Sequence, residues 1–189
     1  MVEQGIGKGR GRHGVGHTGG VKIRQMHHVA YRCRDAAETA RFYTELLDMP
    51  LAHTIVQDRV PSTQELAPHA HVFFELSDGS YLAFFDLADE AEVEQTRNPD
   101  WAQHIAMELD SIDELEAAQA RLEDAGIDVL GPIDHGFIRS IYFYDPSGHR
   151  LELTVRTHAS GDLDRFATSA PALLAAWTDR KQQQQFTSE

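Results

Sequence analysis

The chain has 189 residues, a formal net charge of −13, 41% hydrophobic residues and 25% charged residues. That length suits one domain with tails, and the acidic balance excludes nucleic acid or anionic lipid as the main partner, because both would repel it. The single cysteine, Cys33, excludes an internal disulfide. No run approaches the roughly 20 apolar residues of a membrane span and no apolar secretory segment opens the chain, so the sequence reads as cytoplasmic.

Residues 1–22 are glycine-rich with scattered basic residues and histidines, and hold too few apolar side chains to repay ordering. They are expected to form a flexible tail ahead of a domain at 23–157. The first strand is predicted at His28-Val29-Ala30-Tyr31, followed by an amphipathic helix over Ala37 to Leu47 capped by Asp35, with Phe42, Leu46 and Leu47 inward. A strand is expected near Leu51 to Val56, then a polar loop from Gln57 to Ala70. The run VFFELSDGSYLAFFDL reads as a hairpin turning at Gly79. A second polar, acidic loop is expected at Ala88 to Asp100.

The same order then recurs. HIAMEL opens a strand, a capped helix is predicted from Ile112 to Ala125 with Gly126 as its stop, a strand is expected near Asp128 to Pro132, and IYFYDPSGHRLELTV is a hairpin turning at Asp145 to Gly148. Two modules of strand, helix and three strands follow, about 24–87 and 101–156. Residues 158–189 carry a further helix, predicted from about Ala170, whose Leu173, Leu174 and Trp177 share one face and are expected to pack on the domain or on a partner subunit.

Glu152 is the residue that a packed hairpin does not require. Strand alternation sets it opposite Leu151 and Leu153 and on one face with Arg150 and Thr154. His28 and His104 open equivalent strands of the two modules. If the modules pair about a pseudo-twofold axis, His28, His104 and Glu152 converge as two imidazoles and one carboxylate, a set that holds a divalent transition metal and leaves positions open. The position in the first module equivalent to Glu152 is Ala83, so three protein ligands are expected. His53, His69, His71 and His149 read as loop or surface positions, and Cys33 as a small buried residue.

Three segments, HHVAYRCRD with RFYTELLDMPL, HIAMELDSIDEL, and IYFYDPSGHRLEL, fall in this order over about residues 24 to 156. They resemble the vicinal oxygen chelate superfamily, which includes glyoxalases, bleomycin-resistance proteins, fosfomycin-modifying enzymes and extradiol dioxygenases. The resemblance implies an α+β fold of paired βαβββ modules forming a cupped mixed sheet, a C-terminal helix, a homodimer, and metal ligands at His28, His104 and Glu152. Glyoxalase I and related epimerases draw a fourth ligand from the strand holding Ala83, which favours the three-ligand reactions here. Extradiol enzymes place a tyrosine ten residues before the glutamate, at Tyr142 in this chain, with a histidine shortly before it, for which His135 is the candidate.

The implied activity is an Fe(II) dioxygenase acting on a small catechol-like substrate, with dioxygen as co-substrate and with Tyr142 or His135 moving a proton. Phe73, Phe85 and Arg139 would line the substrate cavity. The alternatives are a glyoxalase-like lyase, isomerase or thiol transferase using Mn(II), Ni(II) or Zn(II), and a drug-binding resistance protein without chemistry.

Overall fold

The computed structural model describes residues 21–89 and 98–186; the tail expected at 1–22 lies almost wholly outside them, as does most of the expected acidic loop at 88–100. The first module opens with β1 (His28–Cys33) and α1 (Ala36–Arg41). Asp35 caps the helix, its carboxylate accepting the Glu38 amide at 2.6 Å, which satisfies a donor that the first helical turn leaves free. The predicted helix does not run on as a regular spiral to Leu47. It widens into a π-helical turn over Phe42–Leu46, where the Thr44 hydroxyl donates to the Ala40 carbonyl at 2.7 Å and competes for the ladder. The widening turns consecutive residues Phe42 and Tyr43 both into the core.

Three antiparallel strands complete this module: β2 (Leu51–Arg59), β3 (Leu66–Glu75) and β4 (Tyr81–Leu87). The loop expected across Gln57 to Ala70 shrinks to residues 60–65, closed by hydrogen bonds between Val60 and Glu65 and between Gln64 and Val60. The polar residues that suggested a loop lie instead in strands, most of β2 being exposed. β1 pairs parallel to β4, giving a sheet ordered β1-β4-β3-β2.

The second module repeats the design. After a short 3-10 turn (Asp100–Ala102) come β5 (Ile105–Glu108), α2 (Ile112–Asp124), β6 (Leu130–Asp134), β7 (Ile138–Tyr144) and β8 (Arg150–Arg156), in a sheet ordered β5-β8-β7-β6. Ser111 caps α2 through the Glu114 amide, and Gly126 beyond its end adopts φ +78, the left-handed conformation that makes glycine the residue of choice for such a stop. β6 begins two residues later than expected. The paired βαβββ architecture is therefore present, with one mixed sheet in each module.

One apolar cluster spans both modules, joining Phe42, Phe74 and Phe84 to Leu122, Ile141 and Phe143. The turn at Asp145 to Gly148 locks the modules together. The Tyr43 hydroxyl donates to Asp145 at 3.1 Å, the Arg34 amide to the Ser147 hydroxyl at 3.1 Å, and the His149 imidazole lies 2.8 Å from the Arg32 carbonyl. His149 is thus part of the module interface and not a plain surface histidine. Cys33 is buried as expected, and desolvation pushes its thiol up to about 11.

The C-terminal helix α3 (Asp162–Phe186) starts eight residues before the predicted point, and the face expected to pack on the domain or on a partner subunit is not covered by the domain. Leu173, Leu174 and Trp177 are exposed, and Phe166 against Phe137 is its aromatic contact with the second module. Leu and Trp spacing predicted the helical face but not whether anything covers it. Among the described residues no helix is long and apolar enough to cross a membrane.

Candidate metal centre

β8 is buried on both faces. Leu151, Leu153 and Val155 enter the core, while Arg150, Glu152 and Thr154 occupy the other face, where the pairing aligns Glu152 with Tyr142 on β7 and Ala106 on β5. Glu152 is 2% exposed, so its carboxylate is not a solvated edge group. His104, the residue just before β5, reaches the same face, its Nε2 sitting 2.9 Å from Glu152 Oε2. The second carboxylate oxygen, Oε1, is buried and has no hydrogen-bond partner among the described residues. A buried carboxylate oxygen without a partner costs about 1–3 kcal/mol, which makes this atom a vacant electron-pair donor held in place by the fold.

Tyr142 stands directly beside this pair and is 9% exposed. Its ring meets that of His104 edge to face at 5.9 Å, and its hydroxyl lies 2.8 Å from His135 Nε2. His135 reaches it from the turn between β6 and β7, where its amide bonds the Ile138 carbonyl. Burial, followed by the Glu152 charge, raises the Tyr142 pKa and keeps the phenol protonated at neutral pH. The guanidinium of Arg150 covers the phenol ring at 4.6 Å. Ser140 and Thr154, hydrogen-bonded at 2.9 Å, close the same face.

His104, Glu152, Tyr142 and His135 are therefore brought together on the second sheet. Arg139 is not, because the β7 register puts it beside Val155, on the face of Ile141 and Phe143. His28 also lies apart from the pair. Its Nδ1 is 2.8 Å from that of His27, and its ring contacts His71 and Phe73 on the first sheet. The two neighbouring imidazoles meet because His27 precedes β1, so strand alternation does not separate them. Among the described residues no group of three or more His, Cys, Asp and Glu side chains is placed to hold a metal ion.

The first sheet presents its own aromatic face. His71 stacks on Phe85 at 3.7 Å and lies 4.1 Å from Phe73, with His53 against Phe73 and His69 near Phe85. Burial, and then the charges of His28, His69 and His53, lower the His71 pKa to about 4, so it is neutral at physiological pH. Its Nε2 is buried without a partner among the described residues. His53, His69 and His71, read as loop or surface positions from sequence, belong to strands; the alternation His69, His71, Phe73 is the signal that would have placed them on one face. A separate cavity of about 690 Å³ opens on the opposite, helix-facing side, lined in part by Met107, Leu153 and Ala118.

The donors present at His104 and Glu152 fit a divalent transition metal: an imidazole nitrogen, a carboxylate oxygen already within reach of it, and a second, buried carboxylate oxygen beside the Tyr142 phenol. They form part of a coordination shell, not a full one.

Comparison with known proteins agrees with this architecture. The chain is 32% identical over 155 residues to a 2-epi-5-epi-valiolone epimerase from Actinomyces sp., an alignment that covers 74% of this chain and 82% of that one. A glyoxylase/bleomycin resistance protein/dioxygenase domain from Frankia sp. EAN1pec superposes with a TM-score of 0.59 at 20% identity, covering 71% of this chain and 99% of that one. A variant of the fosfomycin resistance protein FosX from Listeria monocytogenes, complexed with Mn(II) and 1S,2S-dihydroxypropylphosphonic acid, superposes with a TM-score of 0.52 at 20% identity, covering 75% and 98%. Residues 25–153 match the family described as the Glyoxalase/Bleomycin resistance protein/Dioxygenase superfamily, and the chain belongs to that family.

Proposed function

We propose that the protein is a metal-dependent enzyme that moves a proton at the carbon next to a carbonyl, in a small substrate bearing vicinal oxygens, as an epimerase or isomerase does. The observation that carries this reading is the Tyr142 hydroxyl, bonded to His135 and buried beside the His104–Glu152 pair. The 32% identical epimerase supports the same chemistry, against the weight that Ala83 gives to three-ligand reactions.

In this reading His104 and Glu152 hold a divalent transition metal with one further donor. The bound metal supplies Lewis-acid polarisation of the substrate carbonyl and of its neighbouring hydroxyl. His28 is the proposed third ligand, supplied within a homodimer by a second copy, since His28 is exposed on the edge strand of its own sheet and stands apart from the pair. His135 Nε2 accepts the carbon-bound proton, the protonated Tyr142 phenol returns one to the resulting enolate carbon, and His135, hydrogen-bonded to the phenol and exposed to solvent, reprotonates it. Phe73 and Phe85, on the face that carries His28, are the proposed apolar wall.

The extradiol dioxygenase reading keeps one observation in its favour: Tyr142 and His135 are hydrogen-bonded to each other beside the metal donors. It calls for Fe(II) and dioxygen. Two assays separate the readings. Incubation of hydroxy-ketones in D2O with the Mn(II)- or Zn(II)-loaded protein, followed by proton NMR, detects exchange of the carbon-bound hydrogen; an oxygen electrode with catechols and Fe(II) detects cleavage. Exchange without oxygen uptake supports the proton-transfer enzyme. Oxygen uptake without exchange overturns it.

A further inference from the structure

We infer that Arg150 is an anion-recognising residue, and that the substrate therefore carries a carboxylate or phosphoryl group besides its vicinal oxygens. The inference rests on the proposed metal site but comes from a different side chain. Arg150 begins β8, two residues before Glu152 and on its face, and its guanidinium lies 4.6 Å above the Tyr142 ring. Among the described residues no carboxylate lies within ion-pair distance of Arg150; it shares that with several other arginines, and what sets it apart is its place over Tyr142 beside Glu152. Its Nε is buried with no hydrogen-bond acceptor among the described residues.

Such an arrangement is unfavourable unless something answers it. A guanidinium presents donors in a planar fork suited to the two oxygens of a carboxylate or phosphoryl group, and a half-buried fork without acceptors loses hydration that the protein does not replace. Stacking on Tyr142 offsets part of that loss and fixes the plane of the group. Glu152 does not serve as its counter-ion: it lies outside ion-pair distance of Arg150, its Oε2 meeting His104 and its Oε1 having no partner among the described residues. A divalent metal beside Glu152 would leave the face net positive, in a chain whose formal charge is −13. A local cation of this kind is what lets so acidic a protein receive an anion.

The test compares three small probes on the full chain loaded with Mn(II): dihydroxyacetone, which is neutral, dihydroxyacetone phosphate, and hydroxypyruvate. Calorimetry should show at least one anionic probe binding ten-fold or more tighter than the neutral one. In Arg150→Met the ratio should fall to near one, and in Arg150→Lys it should be intermediate. The preference for phosphate or carboxylate identifies which anion the site takes. A readout that does not depend on the metal follows the Arg150 Nε–H resonance of the metal-free protein during titration with inorganic phosphate and with acetate at constant ionic strength; it should shift with at least one of them. Equal affinity for neutral and anionic probes, absence of binding by any of them, or a preference retained in Arg150→Met overturns the inference. Failure of the metal reading alone shows as wild-type protein that binds no Mn(II) while the Nε–H resonance still responds.

Discussion

His104 Nε2 and Glu152 Oε2 lie 2.9 Å apart while the other oxygen of the same carboxylate faces no partner among the described residues. A fold that buries a carboxylate in this way lowers its own stability until something binds. Glu152→Met, of similar length and without polar atoms, is therefore expected to stabilise the metal-free protein by about 1–3 kcal/mol. His104, half-exposed, can turn its ring to water in that variant. Urea denaturation with and without Mn(II) measures both sides: metal should stabilise the wild type and leave Glu152→Met unchanged. A metal-free Glu152→Met less stable than wild type would show that the carboxylate contributes to the fold.

Tyr142 and His135 are expected to act as one proton-carrying unit. Tyr142→Phe keeps the buried ring and removes the hydroxyl, so it should fold normally and lose about 10²–10⁴-fold in turnover. His135→Gln should lose less, because water can reach the phenol from the exposed side. Rates of hydrogen exchange in D2O check both. Unchanged exchange in Tyr142→Phe would reduce the tyrosine to a packing residue.

The contact between Tyr43 and Asp145 predicts a pH-dependent module interface. Burial raises the Asp145 pKa above the ordinary carboxylate value, against the opposing His149 charge and the hydrogen bonds from Tyr43 and the His149 and Ser147 amides. A folded-state pKa above the unfolded one means that the native state holds the proton more tightly. The resulting contribution is fully present below the unfolded pKa and is lost as pH rises through the folded value. Asp145→Asn can make all three hydrogen bonds without ionising. The stability of wild type relative to Asp145→Asn should therefore fall as pH rises through that window, read by urea denaturation at several pH values. Asp145→Ala, which leaves three donors without an acceptor, should be about 3 kcal/mol less stable than Asp145→Asn at any pH in that range.

Gly131 predicts a backbone-limited position next to the site. Its φ is +125, and a Cβ there would meet the Ser140 carbonyl oxygen at 2.7 Å, a contact with β7 backbone that cannot swing aside. Gly131→Ala should destabilise by about 2–4 kcal/mol. Because Ser140 shares its face with Tyr142, the D2O exchange rate should fall too. A variant as stable as wild type would show that β6 shifts freely.

The repeat was legible in the sequence because every module carries its own punctuation: Asp35 and Ser111 as caps, Gly126 as a stop, Gly79 and Gly148 in hairpin turns. The face that Glu152 takes was legible for a related reason, since alternation along β8 fixes which of its side chains lie together. What alternation does not fix is how one sheet lies against another, and for that reason His28 could be assigned a face but not a neighbour. The strand identity of His53, His69 and His71 was hidden by their polarity, which an open sheet face tolerates as readily as a loop. The reach of α3 back to Asp162 was hidden because it depends on little packing against the domain, leaving only local propensity and Asp162 itself at its start.

Metal binding by the full chain tests the account most directly. Anaerobic calorimetry of the wild type with Mn(II), Fe(II) and Zn(II) should show about one tight site per chain for at least one ion, weakened about 100-fold or more in both His104→Ala and Glu152→Gln, since even outer partners of metal ligands are worth 10–100-fold. No binding by the wild type, or equal binding by the two variants, would contradict it.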